Sequence, residues 1–234
     1  MIFQLDNSIT FPDPHYGDPD GLLAVGGDLS VDRLLLAYSN GIFPWFSFRD
    51  CDEPMWYCPM ERFVIFPKEI HISHSMRTLI NKKQYVVSIN NDFEGVIQHC
   101  SQLRADEQGA WLGDEMVNAY TELHRQGFAA SVEVWEPSSP NTLQEPLNDV
   151  IAPHDSSDYR LVGGLYGVNI GRAFFGESMF SLVPSASKLA LIHLAQVLGD
   201  NGGTIIDCQF ETPHLRSMGG RYISYDEYMQ LLQE

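Results

Sequence analysis

The chain has 234 residues, 44% of them hydrophobic and 12% aromatic, with 14 Lys plus Arg against 31 Asp plus Glu for a formal charge of −17. This is the composition of an ordered globular protein, long enough to bury a real core in one large domain or two small ones. So acidic a chain repels nucleic acid overall, so any nucleic-acid contact needs a local basic patch, while cationic ligands are attracted. The four cysteines, Cys51, Cys58, Cys100 and Cys208, form no C-x-x-C, and reduced thiols are the simplest reading. No run approaches the roughly 20 apolar residues of a membrane span, and the first residues carry no basic leader. The expectation is a soluble, cytoplasmic protein.

Residues 1–29 are rich in Pro, Gly and Asp and read as loop. The glycines of Gly21–Asp28 lack phosphate-loop spacing. Ser30 is placed to cap a helix running through Leu34, Leu35, Leu36 and Ala37 and ended by Gly41. An aromatic turn follows at Ile42–Phe46, then an aromatic cluster at Trp56–Tyr57. Clustered tryptophans either stack on bases or pack against a neighbouring domain. Helices are predicted from Ser73 to Lys82, Asp92 to Leu103 and Asp114 to Gln126, with strands at Tyr85–Ile89 and Ala129–Trp135. The segment 136–158 has no periodicity and reads as a long loop. A short helix is expected around Thr212–Ser217. A last one starts at Ser224, where Glu227 completes a capping box.

Two clusters invite a chemical reading. Cys51, Cys58, His71 and His74 read C-x6-C-x12-H-x2-H. Zinc fingers space their cysteines by roughly two to four residues and their histidines by roughly three to five, so both spacings miss and no metal is expected. Between Arg62 and Lys83, five basic residues (Arg62, Lys68, Arg77, Lys82, Lys83) accompany one acid, Glu69. That window is either a solvated helix face or a small phosphate-contact patch.

Residues 161–209 organise the rest. They read as two glycine-rich strands (161–168 and 172–180), an apolar helix after Ser185, and a closing strand, Thr204–Gln209. The glycines strip side chains from the first strand, so a ligand or another backbone can come close. Glu177 follows small and apolar residues, and Asp207 and Gln209 end an apolar run. Strand alternation puts Asp207 and Gln209 on one face and Cys208 on the other, which argues against Cys208 as a nucleophile acting with them. A capped core sheet with polar strand ends would read the same way.

Several segments, in order, resemble the leucyl/phenylalanyl-tRNA–protein transferases. They are Gly21–Leu29, Ala37-Tyr38 with Gly41–Phe46, Ser131–Trp135, Leu161–Gly167, Gly176–Ser181, Ala186–Lys188 and Ile206–Gln209. Each is weak alone, but the ordered set is specific. The resemblance implies an α/β (α+β) protein with a small N-terminal domain, 1–67, and a larger GNAT-like acyltransferase domain, 68–234, that uses no coenzyme A and no other cofactor. It implies transfer of Leu or Phe (also Met) from aminoacyl-tRNA to the N-terminal Arg or Lys of an acceptor protein, by a monomer, creating a degradation signal. It assigns catalysis to Asp207 and Gln209 and places Glu177 at the site. Leu165, Phe174, Met179, Leu191, Leu194, Leu198 and Ile206 stand at its pocket positions, and some of them serve as plain core whatever the function. Trp45 and Trp111 match tryptophans that contact the terminal adenosine. Arg62, Lys68, Arg77, Lys82 and Lys83 become the tRNA-binding set.

The chain departs from the family at Tyr57, Cys58, Met60 and Glu61, within a Trp-Trp-Ser-Pro-Asp-Pro-Arg motif, and at Ala130, where relatives carry His. His74, Thr78 and Asn81 occupy positions that can be Arg or Lys, which implies weaker and more salt-sensitive tRNA binding. Two rivals remain. A coenzyme-A-dependent acyltransferase needs a glycine-rich turn before its helix, and Leu182–Ser187 has no glycine. A non-catalytic module for basic N-termini would bind peptide whether or not Gln209 is present.

Overall fold

The computed structural model describes residues 2–45, 53–108, 113–138 and 158–233 (for 103–108, the backbone alone). Trp111, Cys51 and most of the long 136–158 segment lie outside the described residues.

The N-terminal part is more regular than its composition suggests. Strands β1 (Phe3–Leu5) and β2 (Leu22–Gly26) sit in the stretch expected to be loop. Helix α1 (Val31–Ser39) starts where Ser30 caps it, its hydroxyl accepting from the Arg33 amide. Strands β3 (Phe43–Trp45) and β4 (Met55–Tyr57) complete a four-stranded sheet of order β1-β2-β4-β3. Of the two aromatic readings, packing describes Trp56, which is fully buried and donates its indole N–H to Gly26 O at 2.8 Å.

The main sheet begins with β5 (Glu61–Ile65), so residues 61–65, expected in the N-terminal domain, belong to the larger sheet. Helix α2 (His74–Asn81), strand β6 (Val86–Ile89) and helices α3 (Phe93–Gln108) and α4 (Asp114–Arg125) follow. Next come β7 (Ala129–Pro137), β8 (Tyr159–Ile170), β9 (Ala173–Ser181), α5 (Ala186–Asp200) and β10 (Ile205–Asp207). Helix α6 (Pro213–Ser217), β11 (Arg221–Ser224) and α7 (Tyr225–Gln233) end the chain. Seven strands form the sheet β11-β5-β10-β9-β8-β7-β6. All pairings are antiparallel except β9 with β10, which α5 joins as the crossover that a parallel pair requires. The mixed α/β class read from the sequence is the class of the structure.

Alternation sorts the core into two layers. Tyr166, Phe175, Ile205 and Val64 face α1, α3 and α4, whereas Leu165, Phe174, Ile206 and Ile65 face α5. The β8 glycines serve this packing by letting other elements come close. A Cβ on Gly163 would stand 2.4 Å from the Ala186 Cβ, and one on Gly167 would stand 2.1 Å from Phe175 O.

Candidate active site

The site forms where two neighbouring strands part. β9 pairs with β10 only from Ala173–Phe175 against Ile205–Asp207. Beyond that point β9 continues to Ser181 against β8, while the other chain stays with β5 through Cys208 N to Phe63 O at 2.9 Å. Glu177 stands on one lip of the opening and Gln209 on the other.

A bulge aims Glu177. Gly167 pairs with Gly176 but Tyr166 pairs with Ser178, so Glu177 is the extra residue on β9. Bulges re-aim side chains at the cost of one pairing. The carboxylate meets Tyr38 from α1 and Tyr120 from α4, both fully buried on the apolar faces of their helices. Tyr38 donates to Glu177 Oε1 at 2.7 Å and Tyr120 to Oε2 at 2.9 Å, and the two hydroxyls lie 2.5 Å apart. These three groups close a ring of three contacts. Two hydroxyls supply only two protons, so all three contacts are hydrogen bonds only when Glu177 carries the third and donates it to one tyrosine, which then donates to the other instead of to the carboxyl. Burial, helped by the charge of Asp207, raises the Glu177 pKa to about 7 against the pull of the tyrosines and Arg62. Both tyrosines are pushed well above their ordinary value by burial and by Glu177, so they stay hydroxyl donors.

The Gln209 Nε2 donates to Glu177 Oε1 at 3.4 Å. That engages the amide nitrogen and leaves the carbonyl oxygen as an acceptor for an incoming N–H. Gln209 is not on the strand face expected for it. β10 ends at Asp207, and Gln209 is left-handed with φ 56°. Asp207 therefore meets Gln209 through the backbone, its Oδ1 accepting from the Gln209 amide N–H at 2.9 Å.

Asp207 itself is fully buried. Arg62 Nε lies 3.0 Å from both its oxygens, Arg62 Nη2 is 2.9 Å from Oδ2, and Tyr228 donates to Oδ2 at 2.8 Å. This corrects the expected place of Arg62 in a tRNA-binding patch. It is 1% exposed, its guanidinium 4.7 Å from the Phe43 ring centroid and 4.8 Å from that of Tyr228. Burial opposes its charge, but Asp207 beside it holds it protonated. The other basic candidates are exposed, Arg77, Lys82 and Lys83 on or beside α2 and Lys68 near Gly199 at the C-terminal end of α5. Burial pushes the Cys208 thiol up, which agrees with its reading as a non-nucleophile.

The proposed pocket residues gather on the α5 face. Leu165, Phe174, Leu191, Leu194 and Ile206 are buried in one apolar cluster, with Met179 and Leu198 half-buried against it. Trp45 lies beside Phe210, with ring centroids 5.2 Å apart, and so adjoins the Gln209 turn. A cavity of about 310 Å³ lies elsewhere on this face, between α2, β6 and another stripe of α5 (Leu189, Ile192, His193). Sequence reasoning missed Tyr120 and Tyr228 altogether and met Tyr38 only inside a matched segment. Their signal was a phenol on an apolar helix face, which needs a partner when buried. Nothing in spacing names that partner.

The family model for leucyl/phenylalanyl-tRNA protein transferase matches residues 64–140 and 155–233, and that for the transferase's N-terminal domain matches residues 27–60. The chain belongs to the leucyl/phenylalanyl-tRNA protein transferase family. The leucyl/phenylalanyl-tRNA–protein transferase of Hydrogenovibrio crunogenus is 44% identical over 99% of this chain and 83% of its own. That of Nitrosospira multiformis is 44% identical over 100% of this chain and 92% of its own. A crystal structure of FemX has a TM-score of 0.48 at 12% identity, covering 87% of this chain and 71% of that one. This transferase is thus an enzyme of aminoacyl transfer, and no described helix is long and apolar enough to cross a membrane.

Proposed function

We propose that the enzyme moves leucine or phenylalanine, and also methionine, from aminoacyl-tRNA to the N-terminal Arg or Lys of acceptor proteins, as a cytoplasmic monomer that uses no cofactor. The new apolar N-terminus then marks the acceptor for degradation. One observation carries this reading: a carbonyl acceptor, Gln209, and a carboxyl poised near neutrality, Glu177, share one opening beside an apolar cluster.

The chemistry asks for little more. The aminoacyl ester is already activated, and an α-amine of pKa about 7.7–8.0 is partly unprotonated at neutral pH. Its nitrogen attacks the ester carbonyl carbon. A C–N bond forms and the C–O bond to the ribose breaks. The nitrogen loses one proton and the ribose oxygen gains one. Gln209 is an amide and takes no proton, but its carbonyl accepts an N–H and aims the lone pair. Glu177 is the group that takes the proton and returns one to the departing oxygen. Holding amine and ester together supplies up to ~7–11 kcal/mol of the barrier. Asp207 acts behind Gln209, since its charge is already matched by Arg62.

The side chain of the transferred residue fits the α5 face, among Leu165, Phe174, Met179, Leu191, Leu194, Leu198 and Ile206. Trp45 and Trp111 take the terminal adenosine, and Lys68, Arg77, Lys82 and Lys83 take tRNA phosphates. The formal charge of −17 favours a cationic acceptor. The test is incubation with Leu-, Phe- or Met-tRNA and a peptide that starts with Arg, Lys or Glu. Transfer to the Arg and Lys peptides alone is expected. No transfer, with tRNA still charged and protein folded, would sink the reading.

A further inference from the structure

We propose that Arg62 and Tyr228 are positioning residues for the transfer step, acting through Asp207 to hold Gln209 in the conformation that aims its amide into the opening. The inference rests on the proposed role of Gln209. It assigns work to two side chains from opposite ends of the chain, β5 and the C-terminal helix α7, neither of which reaches the opening.

The argument starts from the backbone. Gln209 has φ 56°, a conformation that L residues avoid because Cβ crowds the carbonyl oxygen. Phe210 N also bonds Cys208 O at 2.6 Å, so Gln209 is the apex of a three-residue turn of the strained kind. Such a turn persists only where its surroundings over-determine it. Two bonds do so here: Gln209 N–H to Asp207 Oδ1 at 2.9 Å, and Phe63 N–H to Gln209 O at 3.3 Å. The first is only as firm as the Asp207 carboxylate. That group is held by two guanidinium nitrogens and the Tyr228 hydroxyl.

The guanidinium is fixed in turn between the rings of Phe43 and Tyr228. A buried ion pair adds little stability over apolar packing of the same volume, so its direct consequence here is geometric. Had β10 simply continued, Gln209 would lie flat in the sheet beside β5. The turn lifts its side chain toward Glu177 across the opening instead.

The test is Tyr228→Phe, which keeps the ring over Arg62 and removes only the hydroxyl. With the intact protein, Leu-tRNA and an Arg peptide, kcat is expected to fall roughly tenfold, as for loss of one bond to a charged group, with both KM values unchanged at a temperature where the variant, melting somewhat earlier, is still fully folded. Hydrogen–deuterium exchange should quicken at residues 207–210 and not elsewhere. A fall in kcat with unchanged local exchange, a change confined to KM, or no change at all would overturn the proposal. If Tyr228→Phe does not fold, Arg62→Lys, which keeps a cation beside Asp207, is judged by kcat, KM and local exchange alone. An inactive wild type would instead count against the proposed reaction, which separates the two failures.

Discussion

Glu177→Gln separates the cost of burying a charge from the work that charge does. A folded-state pKa of about 7 replaces an ordinary value of 4.5. At roughly 1.36 kcal/mol per pH unit, ionising Glu177 inside the protein costs the folded state about 3 kcal/mol. The sign follows from proton binding. Between those two pH values the native state holds the proton and the unfolded chain has lost it, so stability falls as pH rises. Below pH 4.5 the term is absent, and above pH 7 it is complete. Gln mimics the neutral acid: its oxygen accepts from one tyrosine and its NH2 donates to the other, so the ring of three contacts survives. Denaturant unfolding at pH 4, 6 and 8 should therefore show the variant gaining on the wild type by about 3 kcal/mol across the series. The same variant should lose about 10²-fold in kcat/KM at pH 7, because no group remains to take the proton. The wild-type rate should climb as pH passes 7. A stability difference that stays flat with pH would refute the assignment, whatever the activity shows.

Arg62→Ala should cost about 3–5 kcal/mol by urea unfolding, because it leaves the Asp207 charge buried with no countercharge. A tRNA-contact residue would instead leave stability untouched, so this one measurement decides between the two roles. The joint change Lys82→Ala and Lys83→Ala should leave stability within about 0.5 kcal/mol. It should weaken tRNA binding and flatten the dependence of log Kd on log salt by roughly one for each lost phosphate contact. An unchanged slope in filter binding would remove both lysines from the interface.

How much of this could be read from residues alone differs by element. Helices α1 and α2 were legible with their caps, Ser30 and Ser73, because capping and a 3.6-residue apolar repeat are local signals. The four-stranded sheet was not, because β1, β3 and β4 are three residues each, too short for alternation to show. Segment order carried the family. The sequence also named Glu177, Gln209 and Asp207 correctly as neighbours, although it misjudged how they meet.

Tertiary structure alone decided the rest. Arg62 looked like part of a basic window because windows count charge without knowing what lies above a strand. The main sheet is covered on both faces, so residues 62–65 of β5 are all enclosed, and Arg62 meets Asp207, 145 positions away. Tyr38 and Tyr120 reach Glu177 over 139 and 57 positions, distances at which composition and spacing hold no information. The left-handed turn at Gln209 likewise depends on a carboxylate that is rigid only once α7 and β5 have packed around it. Local chemistry picked out the candidate groups, and long-range packing set their protonation and their aim, because burial and charge partners exist only after the chain has closed on itself.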